Sequence, residues 1–442
     1  MSRAIAATPT ASSTADEAQQ PTPLVNEDWI AVAIGAAIIL LVILGLRPAV
    51  PRFGWDTPDA LSATVLTAEN FSKWIQVGLL MLVPAVAGAR VMGVPAIPFL
   101  LGFAVLYTVA GVAQVLAGFT GSSAVGLEYV IYALVIGLVL GQTTTLRRRL
   151  MEAVRAEYYI KVGLVVLGAS VLFSELVEAG LLGIAQALLV VISVWSFSFW
   201  LARRMRIDEE LATMLSSAVS ICGVSAAIAT CGAIQGDRRK LSYVSSLVLV
   251  VAVPMMLVMP WVSRITGMPD AVSGAWLGGT LDTSAAVVAA GELVSDQARN
   301  AAVVVKLSQN VLIGVAAFLL TIWWSTRHGS SGEKSSTGIG VIWERFPKFV
   351  LGFLAVSLVF SFVISSTAVS DTRSVLTAVR TGWFALAFLS IGLETSFGDL
   401  ARVGGGRPVV VFLGAQAFNV VVTLVFAYLF FGGILFPVPT FN

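Results

Sequence analysis

The chain has 442 residues, of which 57% are hydrophobic and 12% charged, where a soluble globular protein carries about 25% charged residues. A water-soluble domain is excluded. A net charge of +2, with the basic residues scattered over short loops, gives no footing for a nucleic-acid partner.

Cys222 and Cys231 share one apolar segment and the sole histidine, His328, sits in a polar stretch. No disulfide framework, metal site or cofactor is expected from so few ligands. Residues 1 to about 27 are rich in Ala, Ser, Thr, Gln and Pro, which reads as a disordered tail. They lack the basic start and short apolar core of a signal peptide. The first apolar run, Trp29 to Leu46, is long enough to span a bilayer at about 1.5 Å per residue.

Further apolar segments follow at about 72–89, 96–118, 125–142, 157–173, 180–201, 211–235, 241–263, 271–291, 299–324, 346–365, 375–393 and 407–431. The fold class is therefore an all-α polytopic membrane protein of about 11–13 transmembrane segments. Arg147, Arg148, Arg149 and Arg155 mark the loop after the fourth segment as cytoplasmic, and Arg203, Arg204 and Arg206 mark the loop after the sixth, by the excess of Lys and Arg on that side. The turn holding Glu175 and Glu178 has no basic residue and is expected outside. Asp237, Arg238, Arg239 and Lys240 would also lie outside if the seventh segment crossed fully, so charge favours a re-entrant seventh segment. If the ninth is re-entrant too, the linker at 325–345 stays cytoplasmic.

An internal repeat accompanies this pattern. Gly168, Phe173, Leu176 and Gly180 recur as Gly392, Phe397, Leu400 and Gly404, displaced by 224 residues, with Glu175 matched by Asp399. The first copy ends at an acidic turn and the second beside Arg402 and Arg407, as inverted repeats of secondary transporters do.

Two segments carry chemistry. The seventh places Ser220, Cys222, Gly223, Val224 and Ser225 in mid-segment. Gly223 lets the backbone open there, and the second half-helix then presents free N–H groups to an anion. The ninth holds Gly278, Gly279, Thr280, Asp282, Thr283 and Ser284, a break followed by a capped helix start. Close packing through small residues explains both runs equally simply. Asp282 favours binding in the ninth, because a mid-membrane carboxylate costs roughly 2.5–3.5 kcal/mol and needs a partner or water. Lys306, followed by Gln309 and Asn310, is expected to pair with Asp282, to contact an anionic substrate, or to snorkel. Glu394, Gln416 and Asn419 rank low, each lying near a helix end or having an ordinary packing role. No catalytic constellation is present, and no enzyme activity is expected.

The stretches Ser220 to Ala226, Gly278 to Gly291 and Val305 to Asn310 resemble the signature segments of the sulfate exporter family of the YeiH type, over about residues 130 to 430. Many relatives carry a His-Asp pair and a later Gln where this chain has Asp282, Thr283 and Ala286, so a histidine-linked proton step is absent. The family's architecture in turn resembles cation/proton antiporters and bile-acid-type symporters, with two broken helices meeting at the bilayer centre.

The expected organisation is a tail (1–27), scaffold segments that also offer a homodimer contact (28–124), a transport bundle broken near 223 and 279 (125–324), a cytoplasmic linker (325–345) and second-repeat helices (346–442). The expected function is alternating-access export of a small anion such as sulfate, a related sulfur oxyanion or a sulfonate, in a bacterial plasma membrane. A coupling H+ or Na+ is a further expected partner. The alternatives are a cation- or proton-coupled antiporter or an organic-anion symporter with Asp282 as the ion site, and, third, a membrane sensor.

Overall fold

In a computed structural model, residues 26–124, 128–328, 343, 346–395 and 406–439 are described. The expected tail up to residue 25, most of the linker, and Phe397, Asp399, Leu400, Arg402 and Gly404 of the repeat lie outside them. Among the described residues every regular element is a helix, and the one strand-like feature is an isolated bridge between Trp55 and Phe119.

The principal helices are α1 (Glu27–Ile43), α2 (Ala68–Val91), α3 (Ala96–Ala117), α4 (Tyr129–Gly141), α5 (Ala156–Leu167), α6 (Phe173–Arg204), α7 (Glu209–Ser217), α8 (Val224–Ile234), α9 (Arg238–Ile265), α10 (Asp270–Thr280), α11 (Ser284–Glu292), α12 (Asp296–His328), α13 (Lys348–Phe362), α14 (Ser366–Glu394) and α15 (Arg407–Phe431). Seven of the spans, within α2, α3, α6, α9, α12, α14 and α15, are each long and apolar enough to cross a membrane. The shorter α1, α4, α5 and α13 link the two faces between them.

Contacts at the helix ends assign the faces. On one face Lys161 pairs with Glu27 at 2.8 Å and Asp28 at 2.9 Å, the Lys348 N–H donates to Asp28, and Arg147 donates to the Glu394 carbonyl at 3.1 Å. This face collects Arg203, Arg204, Arg206, Arg238, Arg239 and Lys240. On the opposite face Arg47 pairs with Asp371 at 3.2 Å, and Ser361 accepts from the Phe173 N–H.

The seventh segment does not cross. Lys240, at the start of α9, pairs with Asp208 at 2.6 Å and Glu210 at 2.7 Å, at the start of α7, and the Asp237 N–H donates to Glu210. Thus α7 enters from the basic face and α8 returns to it. The ninth segment mirrors this from the other face: Ser295, after α11, donates to Asp270 at the start of α10 at 2.6 Å. Since both segments turn back, α12 ends on the basic face, where Arg327 pairs with Glu209 at 3.3 Å.

The helices of the proposed repeat pack in antiparallel pairs, α5 on α14 and α6 on α15. In the first pair Gly163 sits against Phe384 and Trp383, and in the second Phe197 stacks on Phe418 with centroids 4.0 Å apart. Glycines permit the closest approaches. A side chain at Gly137 would strike the Leu389 carbonyl, and one at Gly274 or Gly278 the carbonyls of Ala298 or Ala302. Such contacts hold helices together where water supplies no driving force.

Candidate functional site

The two re-entrant segments break in mid-course by different means. The first widens into a π-turn over Ala218–Cys222 before Gly223, whose φ of 62° and ψ of −118° suit glycine alone. A Cβ there would also meet Val248 Cγ1 at 2.7 Å and the Asp282 carbonyl at 3.0 Å. The two breaks therefore touch, with Gly223 of one against Asp282 of the other.

In the second segment the break falls slightly later than expected. Helix α10 runs through Gly278 and Gly279 to Thr280, and the extended residues are Leu281 (ψ 136°) and Thr283 (ψ 144°). The two glycines are helical packing positions: Gly278 abuts Ala302 of α12, and Gly279 abuts Thr423 and Gln186. Thr283 then caps α11 by accepting from the Ala286 N–H at 3.1 Å.

Lys306 of α12 stands at the crossing, 1% exposed. Its ammonium donates to the carbonyls of Ile221 and Leu281, both at 2.7 Å, and to Gln309 Oε1 at 2.8 Å. An ammonium has three donors, and all three are engaged. Lys306 thus neutralises the carbonyl ends of both first half-helices, and the expected direct pairing with Asp282 is not among its contacts. Nor does it snorkel. Gln309 Nε2 donates to the carbonyls of Ser220 at 2.9 Å and Gly279 at 3.3 Å, extending the same clasp.

Two residues ranked low on sequence join this centre. Gln416 donates to the Thr280 carbonyl at 3.0 Å, and Asn419 donates to the carbonyls of Val219 and Thr280, both at 3.2 Å. Both project from α15 and tie it to the two breaks. A signal was available in the sequence: Gln416 and Asn419 lie three apart, on one face of an otherwise apolar helix. Asp282, 2% exposed, leaves its Oδ2 without a hydrogen-bond partner, as does the Thr280 hydroxyl.

The second half-helices face a cavity of about 760 Å³, lined in part by Cys222, Val224 and Ser225 from one break and Thr283, Ser284, Ala285 and Asn310 beside the other. The first N–H groups of a helix have no intrahelical acceptor. Val224 and Ser225 at the start of α8, and Ser284 and Ala285 at the start of α11, line the cavity wall, and each helix N-terminus carries roughly +0.5 charge. Ser220, Gly278, Gly279, Thr280, Asp282, Lys306 and Gln309 stand behind this wall, outside the lining. Toward the basic face the lining includes Glu27, Asp28, Glu157, Lys161 and Glu394, so the cavity opens to that side. Sequence reasoning ranked Glu394 low and missed Glu27, Asp28, Glu157 and Lys161, because they come from helices distant in the chain. No group of three or more His, Cys, Asp or Glu suited to a metal ion occurs among the described residues.

The family model described as "Conserved hypothetical protein 698" matches residues 101–412. A UPF0324 membrane protein of Rhodopirellula baltica is 39% identical over 395 residues, covering 87% of this chain and 72% of the relative. A UPF0324 membrane protein of Nitratidesulfovibrio vulgaris is 38% identical, covering 79% of this chain, which spans only 62% of that relative's length. The UPF0324 inner membrane protein YeiH of Escherichia coli is 24% identical over 76% of this chain and 92% of its own. No solved structure matches. With a family match over most of its length and broken helices where the YeiH-type signature segments lie, the chain belongs to the UPF0324 family of multi-pass membrane proteins.

Proposed function

We propose that the chain is a secondary transporter of a small anion, of the class of sulfate, related sulfur oxyanions or sulfonates, working by alternating access in a bacterial plasma membrane with its basic face cytoplasmic. It acts as a carrier and not as an enzyme, with no cofactor. The observation that carries this reading is the pair of half-helix N-termini, entering from opposite faces and lining one cavity near the centre of the membrane. Donors fixed in this way take an anion without reorganising. The cavity opens toward the basic face, which supports an exporter loading from the cytoplasm. A named relative is an inner membrane protein, which supports the location.

A second reading, cation- or proton-coupled antiport with Asp282 as the ion site, is favoured by the unpartnered Asp282 Oδ2. The two readings part in proteoliposomes loaded with sulfate, sulfite, thiosulfate, small sulfonates or carboxylates. Anion exchange that needs no cation gradient supports the first. Cation or proton flux with no anion moved supports the second and overturns the first.

A further inference from the structure

Helix α9 is a partition between two spaces. On one side Leu249, Val253 and Met256 line the cavity that opens to the basic face. On the other, Pro254, Val258 and Val262 line an apolar groove of about 830 Å³ shared with α15, which runs on past Thr266 toward the opposite face. Val250 lines both spaces. The outer half of α9 thus has room beside it on the side away from the cavity.

The helix is weakened where the two spaces meet. Pro254 and Pro260 lie inside α9 and offer no N–H to the carbonyls of Val250 and Met256, one turn back. Two backbone bonds are therefore missing, and internal prolines are where helices bend. Pro254 follows one turn after the shared Val250 and is exposed to the groove. Pro260 is buried and lies beyond the last α9 residue that lines the cavity.

The two ends of α9 are held by different partners. Its inner end is fixed by Lys240 to Asp208 and Glu210, at the start of α7. Its outer end is tied to α10 by the hydroxyls of Ser263 and Ser273, which lie 2.6 Å apart and are buried. Trp276 of the same α10 lines the groove. A bend toward the groove carries the outer end toward its own tether and leaves the inner end in place. It also parts α9 from α11, against which it packs and which supplies Ala285 and Ala286 to the cavity wall.

We propose that the outer half of α9 is the gate to the far face: bending at Pro254 carries it into the groove beside α15, parts it from α11 and opens the anion cavity outward. This deepens the transport reading above and rests on it.

The test needs no identified substrate. With Cys222 and Cys231 replaced by serine, Ser225→Cys places a thiol in the cavity at the start of α8, where a helix N-terminus favours the reactive thiolate. A membrane-impermeant methanethiosulfonate is applied from either side to the full chain in oriented proteoliposomes. With Pro254 in place the thiol should label from both sides. Pro254→Ala, which restores the Val250 bond, should slow outer labelling at least about tenfold and leave inner labelling within about twofold, since a continuous helix resists the bend. Ala417→Trp, which fills the groove from α15, should do the same. Outer labelling unchanged in both variants overturns the gate and leaves the transport reading standing. If Pro254→Ala loses labelling from both sides, Ala417→Trp decides, and unchanged outer labelling there overturns the gate. No outer labelling even with Pro254 in place overturns alternating access, and this proposal with it.

Discussion

The ammonium of Lys306 lies 2.7 Å from the carbonyl oxygen of Leu281, the residue at which the second re-entrant helix comes apart. A matching bond to Ile221 binds the other break to the same side chain. The cation therefore serves the carbonyl ends of two half-helices. Lys306→Gln strands both carbonyls and leaves Asp282 without a nearby opposite charge, so a loss of roughly 3–5 kcal/mol is expected, the range seen when one member of a buried charged set is removed. Asp282→Asn leaves all three lysine bonds in place and should lower the melting temperature far less. Melting temperatures in detergent for both variants check this asymmetry; equal losses would contradict it.

Gly223→Ala puts a Cβ at a φ of 62° and within 2.7 Å of Val248 Cγ1. Backbone strain of this kind costs about 1–3 kcal/mol, and the displaced contact would separate Gly223 from Asp282. Lower thermal stability together with lost anion binding is expected. Gly180, on α6, has nothing within 4 Å of a Cβ, so Gly180→Ala should be neutral or slightly stabilising, by up to about 1 kcal/mol. Similar effects at the two glycines would undo the argument.

Accessibility tests the topology. With Cys222 and Cys231 replaced by serine, single cysteines at Arg206 and Arg239 should label from the same side, because the segment between them turns back. Cysteines at Ser174 and Gly406 should label from opposite sides. Opposite-side labelling of Arg206 and Arg239 would mean that the seventh segment crosses.

The loop that closes the first re-entrant segment is held outside the membrane by Lys240 against Asp208 and Glu210. Partial burial acts to raise the Asp208 carboxyl, but hydrogen bonds from Lys240 and the Leu211 N–H outweigh it and hold the group below the usual carboxylate range. A depressed carboxylate contributes stability above its unfolded value, near 3.9, and loses it as pH falls through the lower folded value. Wild type should thus lose stability on acidification below about pH 4 more steeply than Asp208→Asn. The difference is small, because the pair is exposed. Parallel melting curves for the two proteins would refute the contribution.

Much of this was legible in the residues. Hydropathy located the helices, and the run Asp237 to Lys240 signalled a re-entrant seventh segment because three adjacent basic residues, Arg238, Arg239 and Lys240, rarely face away from the basic side. Gly223 marked its break correctly. Gly279 misled by two residues, since a glycine that opens a backbone and a glycine that lets α10 approach α12 look the same in a sequence. The partners of Lys306 were hidden for a related reason: backbone carbonyls have no letter. Glu157 and Glu394 are 237 residues apart, and only the packing of α5 on α14 places them in one cavity.

The central claim is that an anion sits between the N-termini of α8 and α11. Its most direct measurement is an anomalous-scattering map of crystals grown with a seleno-oxyanion or a selenonate, in which selenium reports the anionic head. The account predicts one selenium peak within hydrogen-bonding reach of the N–H groups of Val224 or Ser225 and of Ser284 or Ala285. A peak elsewhere in the protein, or none at a concentration that supports exchange, would contradict it.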